Sequence, residues 1–263
     1  MGQFSKVEIE GRLMIATINR PEVLNACHPM TSQELSDAFD EFAANPDLWV
    51  AIITGAGDKA FSAGNDLKYH AELRARTGKR PVSPSKGFGG LTFRHDLDKP
   101  VIAAVNGLAM GGGFEIALSC DLIIASGRAR FALPEPRVGL AAGGGGLQRL
   151  PRTIPLKKAM GMLLTGRHVS AQEGYEMGFV TAVVPHADLM QEARRWANMI
   201  LECSPMSVRA TKQAVRRSLD VPSLEIAMQN MNYPAYVALA NSEDTVEGPK
   251  AFAEKRKPSW KGR

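Results

Sequence analysis

Two glutamates and two glycine-rich stretches are the residues in this chain best suited to chemistry. Residues 61–67 (FSAGNDL) and 106–115 (NGLAMGGGFE) each follow an apolar run, and each sets glycine where a backbone must turn sharply or approach a ligand. Gly111, Gly112 and Gly113 precede a short helical pattern over 114–119, so their N–H groups fall at a helix N-terminus, where donors are free and the dipole favours negative charge. Donors fixed in this way can hold a carbonyl oxygen as it gains charge, which is the work of an oxyanion hole. Glu115 follows the triple glycine directly, and Glu135 sits in Leu133-Pro134-Glu135. Carboxylates beside apolar and glycine-rich sequence are costly to bury unless paired or used. As a pair they could handle one water from both ends, one taking its proton and the other supplying one. On spacing alone the glycines also fit plain tight turns, and the glutamates fit ion pairs with Arg137 or Arg149.

The elements that must position these groups show in the hydrophobic pattern. Residues 7–9 and 13–18 flank Gly11-Arg12, as two strands closed by a tight turn. Thr31 with Glu34 reads as a capping box, opening a helix whose Leu35, Ala38, Phe39 and Phe42 share one face. The apolar runs 49–54, 101–105 and 122–125 suit strands covered on both faces, with helical patterns between them as the cover. Strand signals fade after 180–184, and helical periodicity takes over at 189–201, 207–219, 223–239 and 245–256. Residues 77–90 (TGKRPVSPSKGFGG) alone are rich in Pro, Gly, Ser and Lys, and read as a mobile loop or lid.

Composition narrows the class. The 263 residues are 44% hydrophobic and 22% charged, so the chain can bury a large core and reads as one main globular domain with an appendage. No apolar run approaches the roughly 20 residues of a spanning helix, and the first ten residues lack a signal-peptide pattern. Cys27, Cys120 and Cys203 are widely spaced without a CxxC pair, which points away from a disulfide framework or a zinc site and toward a cytoplasmic location. The five histidines have no metal-ligand spacing, and GxGxxG, GxxxxGK[ST] and GxSxG patterns are absent. A net charge of +5 favours an anionic partner. Arg194-Arg195, Lys212 with Arg216-Arg217, and Lys255-Arg256-Lys257 form basic helix patches, but aromatics are only 6% and are not interleaved with them, so a phosphorylated small molecule is favoured over nucleic acid.

Taken in order, Asn19-Arg20-Pro21 with Leu24-Asn25, then FSAGNDL, then VIAAVNGLAMGGGFE with Cys120-Asp121, then Pro134-Glu135 through Gly139-Leu140 to GGGGLQRL, and finally FAEKRKPSWKGR, form a specific set. In this the chain resembles the crotonase (enoyl-CoA hydratase/isomerase) family along nearly its whole length. The resemblance implies an α/β fold in which residues 1–204 form a spiral of ββα turns, while 205–263 form a helical region for trimerisation that completes the CoA pocket. It implies a homo-oligomer, a trimer or dimer of trimers, acting as a hydro-lyase on a 2-enoyl-CoA or 3-hydroxyacyl-CoA, with acyl-CoA as substrate and neither a separate cofactor nor a metal. Matched motif by motif, Asn65 and Gly112 become the two backbone donors to the thioester oxygen, Glu115 the base for water, and Glu135 the proton donor at Cα. Val23, Leu24, Ala63, Asp66, Leu67, Lys68, Phe252 and Lys255 fall on positions that contact the substrate or its CoA. Presence of both glutamates favours hydration over branches of the family that keep only one, with enoyl-CoA isomerase activity as an alternative, and Gly143 stands where the family's thioester hydrolases have Asp. The sequence looks similar to the carnitinyl-CoA dehydratase-like branch, except that Asn65 stands where that branch has Trp. Ala142 stands where a Pro is frequent, which loosens the loop before the second glycine run.

Overall fold

The computed structural model describes residues 2–79 and 81–263. A hairpin of β1 (Ser5–Glu10) and β2 (Leu13–Ile18) turns at Gly11-Arg12 as expected, and α1 (Pro29–Ala44) follows. The chain then repeats one move three times: a strand, a short strand, then a helix. The first turn is β3 (Val50–Gly55), β4 (Ala60–Ser62) and α2 (Leu67–Thr77); the second is β5 (Val101–Val105), β6 (Leu108–Met110) and α3 (Gly112–Ser119). The third is β7 (Leu122–Ser126) and β8 (Arg130–Ala132) with α4 (Gly146–Thr153) and α5 (Leu156–Thr165). After them come β9 (Val169–Ser170), α6 (Ala171–Met177), β10 (Ala182–Val184) and α7 (Leu189–Leu201).

One sheet runs β1-β2-β3-β5-β7-β10, and a smaller one runs β4-β6-β8-β9. Pairing is parallel except at β1/β2 and β8/β9. Each turn therefore adds one strand to each sheet beside the last, and the product is the α/β spiral of ββα turns that the resemblance implies. Both faces of the large sheet are covered. Met14, Ala16, Ala51, Ile53, Ala103 and Val105 pack toward α1 and α3, whereas Leu13, Ile15, Val50, Ile52, Ile102 and Ala104 pack against Leu189, Ala193 and Ala197 of α7. Burial of alternate residues on opposite faces explains why these strands read as unbroken apolar runs.

Side-chain amides close the corners of the spiral. Asn106 Nδ2 donates to the carbonyls of Gly55 (3.0 Å), Gly57 (2.7 Å) and Ala60 (3.2 Å), tying the second turn to the corner of the first. Asn25 Nδ2 donates to Ala56 and Ala60, and its Oδ1 accepts from the Arg20 N–H. These bonds satisfy buried carbonyls that the change of sheet leaves unpaired.

Two expectations need correction. The capping box is not formed: α1 starts at Pro29, the ring nitrogen of His28 accepts from the Thr31 N–H, and Glu34 instead accepts from the N–H groups of Gln3 and Phe4. The helix expected over 223–239 is two, because Pro234 lacks an N–H and holds Tyr233 extended; α8 (Pro205–Ser218) leads to α9 (Leu224–Gln229), α10 (Pro234–Ala240) and α11 (Glu243–Ala253). The last residues fold back on their own chain. Asp244 accepts from Ser204 Oγ (2.7 Å) and from the N–H groups of Lys261 and Gly262, while Trp260 Nε1 donates to the Glu202 carbonyl.

Leu224, Met228, Val246 and Phe252 of the C-terminal helices are exposed. From Lys6 to Glu10 the edge strand β1 is exposed on both faces, its end pinned to α7 by Arg194 and Glu10 at 2.7 Å. Among the described residues, no helix is long and apolar enough to cross a membrane, and the three cysteines are unpaired.

Candidate active site

The segment leaving β4 is laced along one side to residues 24–27. The Ala63 N–H donates to the Leu24 carbonyl (2.9 Å), Gly64 N–H to Ser62 Oγ (3.1 Å), and Asp66 N–H to the Cys27 carbonyl (3.1 Å). Between them the Asn65 N–H meets no protein acceptor among the described residues. Gly64 has φ 89°, and a Cβ there would run into the Met110 carbonyl and lie 3.1 Å from the Gly112 nitrogen. Glycine alone lets the two loops touch. Gly112 is the first residue of α3, so its N–H has no partner within the helix. Two free backbone donors therefore stand on adjoining loops.

Glu115 lies one helical turn further on and is only 5% exposed. Its Oε1 accepts from the Gly146 N–H at 2.9 Å, and a Cβ at Gly144 would collide with the same carboxylate. The glycine run 143–146 thus wraps the acid closely. Glu135 opens a 3-10 turn (Glu135–Val138), with Oε1 2.9 Å from where a Cβ on Gly111 would sit. Its Oε2 is buried without a hydrogen-bond partner among the described residues. The ion pairs that spacing allowed are not made: Arg137 donates to the Thr165 carbonyl, and Arg149 to those of Thr92 and Gly144.

Burial pushes Glu115 up to about 7; the Gly146 N–H opposes the shift and the charge of Glu135 adds to it. Glu135 is raised as well, chiefly by burial. Asn65, Gly112, Glu115 and Glu135 line one cavity of about 280 Å³. Its remaining wall includes Ser83, Phe88, Thr92, Phe93, Leu140 and Ala141. Of these six, Ser83 and Phe88 fall in the stretch read as a lid and Leu140 in the Gly139-Leu140 motif, whereas Thr92 and Phe93 carry no signal in the sequence.

The other expected contacts spread outward. Val23 and Leu24 are partly exposed on the loop that laces the Asn65 segment, and Leu24 also lines a smaller hollow of about 180 Å³ with Pro21 and Lys59. Ala63 is half-buried; Leu67 and Lys68 are exposed on the first turn of α2. Asp66 caps that helix through the Tyr69 N–H and pairs with Arg20. Phe252, 87% exposed on α11, and Lys255, just beyond it, lie outside the lining of the main cavity. The basic runs find partners within the chain: Arg194 with Glu10, Arg195 with Glu192, Lys212 with Asp121, and Arg256 with Glu247 and Glu254.

Comparison with known proteins gives the family. The family model described as "Enoyl-CoA hydratase/isomerase" matches residues 8–263. The chain is 44% identical over 257 residues to a carnitinyl-CoA dehydratase of Salmonella enteritidis PT4, covering 96% of each protein. It is also 44% identical over 255 residues to the one of Escherichia coli K12, again covering 96% of each. Among solved structures, an enoyl-CoA hydratase from Mycobacterium tuberculosis H37Rv superposes with a TM-score of 0.91 at 38% identity, covering 99% of both chains. One from Bacillus anthracis gives 0.89 at 36% identity, covering 99% of this chain and all of that one. With matched sequence from end to end and a matched spiral, the chain belongs to the enoyl-CoA hydratase/isomerase family.

Proposed function

We propose that this protein adds water to a 2-enoyl-CoA thioester, or removes it from the 3-hydroxyacyl-CoA. The observation that carries this reading is the convergence of two carboxylates and two free backbone donors on one cavity. With the thioester oxygen on the N–H groups of Asn65 and Gly112, the carbonyl draws electrons and Cβ becomes open to attack. Glu115 takes a proton from water as the hydroxyl bonds to Cβ; the C=C pair moves to Cα and collects a proton from Glu135. One water is consumed, and a second proton transfer between the acids resets them. Both acids are raised by burial, Glu115 to about 7 with the Gly146 N–H favouring its charged form, and which of them takes and which gives the proton follows the family resemblance.

A second reading within the family is a dehydratase acting on carnitinyl-CoA, supported by the 44% identity to proteins of that name. It needs the same acids and donors and differs only in the acyl group. Incubating the protein with crotonyl-CoA, crotonobetainyl-CoA and longer enoyl-CoAs, and following the enoyl thioester absorbance, separates the two. Loss of absorbance with crotonyl-CoA supports the general hydratase, and loss confined to crotonobetainyl-CoA supports the second reading. No loss with any of them, alongside migration of a 3-enoyl double bond into conjugation, would replace both with an isomerase.

A further inference from the structure

Resting on the hydratase reading above, we propose that the Arg20–Asp66 ion pair is a positioning device that fixes the orientation of the Asn65 N–H. Arg20 Nη1 donates both to Asp66 Oδ2 (2.8 Å) and to the Ala26 carbonyl (2.6 Å), with both side chains of the pair only 12% exposed. The backbone on either side of Asn65 is hung from Cys27, which gives its N–H to the Gly64 carbonyl (2.8 Å) and takes the Asp66 N–H (3.1 Å). Arg20 therefore clamps both rails of a short ladder, Ala26 on one and Asp66 on the other, and Asn65 lies on the second rail, directly before Asp66.

The rail carrying Cys27 does not hold its shape by default. Leu24 and Asn25 have φ of 54° and 56°, a left-handed conformation that leucine in particular adopts at a cost. Something must hold it, and the Asn25 carboxamide and Arg20 Nη1 do so together. Behind the guanidinium stand the Phe4 ring at 5.7 Å and His28, itself edge-on to Phe4. Burial would raise the Asp66 pKa, but the Tyr69 N–H and Arg20 outweigh it and hold the carboxyl below its ordinary range, so the clamp stays charged wherever the enzyme would work. Arg20 lines neither the main cavity nor the smaller hollow beside it, and its influence on chemistry runs through the amide of Asn65.

The test uses Arg20→Met, Arg20→Lys and Asp66→Asn in the full-length protein. Loosening an oxyanion donor should lower kcat by about 10²-fold in Arg20→Met with KM little changed, since a misplacement near 1 Å suffices for that loss. Arg20→Lys, which keeps the charge on a stem one atom shorter, should fall between. Adding Asp66→Asn to Arg20→Met should cost nothing more, because both remove one contact. A direct readout is the infrared C=O stretch of a carbonyl-labelled enoyl-CoA bound in a Glu115→Gln background, where turnover is blocked. The lowering of that frequency on binding should shrink with Arg20→Met, and an effect on folding alone would not move it. An unchanged stretch, or a raised KM with kcat intact, overturns the proposal. A wild-type protein that shifts the carbonyl of no enoyl thioester overturns the hydratase reading, and the clamp with it.

Discussion

At the residue scale, Glu115 carries a conflict between stability and function that pH exposes. Its carboxyl stands at about 7 against an ordinary value of 4.5, so between those values the folded protein holds a proton that the unfolded chain releases. Stability must then fall as pH rises across that window and stay lower above it. Glu115→Gln should leave the melting temperature unchanged near pH 4 and raise it at pH 8, by up to about 3 kcal/mol of stability; thermal melts across pH would show it. The same substitution should lower kcat by about 10²-fold or more, as should Glu135→Gln. In the wild type, kcat/KM should climb with pH through about 7 as the base loses its proton, and this limb should vanish in Glu115→Gln. Gly112 offers a separate check. A Cβ there would sit 2.5 Å from the Phe88 ring, so Gly112→Ala keeps the donor yet displaces a wall of the cavity. Activity should drop in Gly112→Ala and recover in part when Phe88→Leu is added, as steady-state rates of the two variants would report.

Elements place these residues, and Asn106 is the corner that does most to hold two turns together. Asn106→Ala strips a shared donor from the Gly55 and Gly57 carbonyls, while Ala60 keeps its bond from Asn25, and removing such a donor from buried acceptors costs about 1–3 kcal/mol. A lowered midpoint in urea with kcat unchanged is the expected result. Elements also mark how far the sequence could be read. The central strands of the large sheet, β2, β3, β5 and β7, were legible because both faces are buried, and α7 was read at its observed bounds. The small sheet was not, since strands of two or three residues have no period to detect. Thr31 and Glu34 had the right spacing for a cap, but Glu34 is drawn off by Gln3 and Phe4, partners about thirty residues away that local pattern cannot reveal. Pro234 was a visible signal that the helical periodicity overrode. For the site, the glycines and both glutamates stood out by type, and the ordered set of motifs joined them into one candidate site. Thr92 and Phe93 could not be named, because nothing in their own neighbourhood marks them as lining a cavity with Glu115.

Across the whole molecule, the exposed Leu224, Met228 and Phe252 lie on helices that belong to no turn of the spiral. They fit the expected role of residues 205–263 in oligomer formation. Leu224→Glu with Met228→Glu should reduce the mass seen by light scattering to that of one chain, with the helical signal of circular dichroism kept; a wild-type monomer would refute the role. Truncating the tail is a poorer test, since Trp260, Lys261 and Gly262 bond to their own chain and their loss would loosen α7 and α11 directly.

The uncovered edge strand β1 bears on behaviour at high concentration. A sheet that ends in unpaired N–H and C=O groups is a template on which other chains can grow, and here the other end is closed off by only the three residues of β10. What guards β1 is the charged row Lys6, Glu8 and Glu10, placed on one face of an otherwise apolar ribbon that carries Val7 and Ile9 on the other. Replacing all three with threonine would keep the strand propensity and remove the guard. Such a protein loses the Glu10–Arg194 pair at the end of the strand, a contact worth at most about 1 kcal/mol, and should turn cloudy or form cross-β fibres at concentrations where the wild type stays clear.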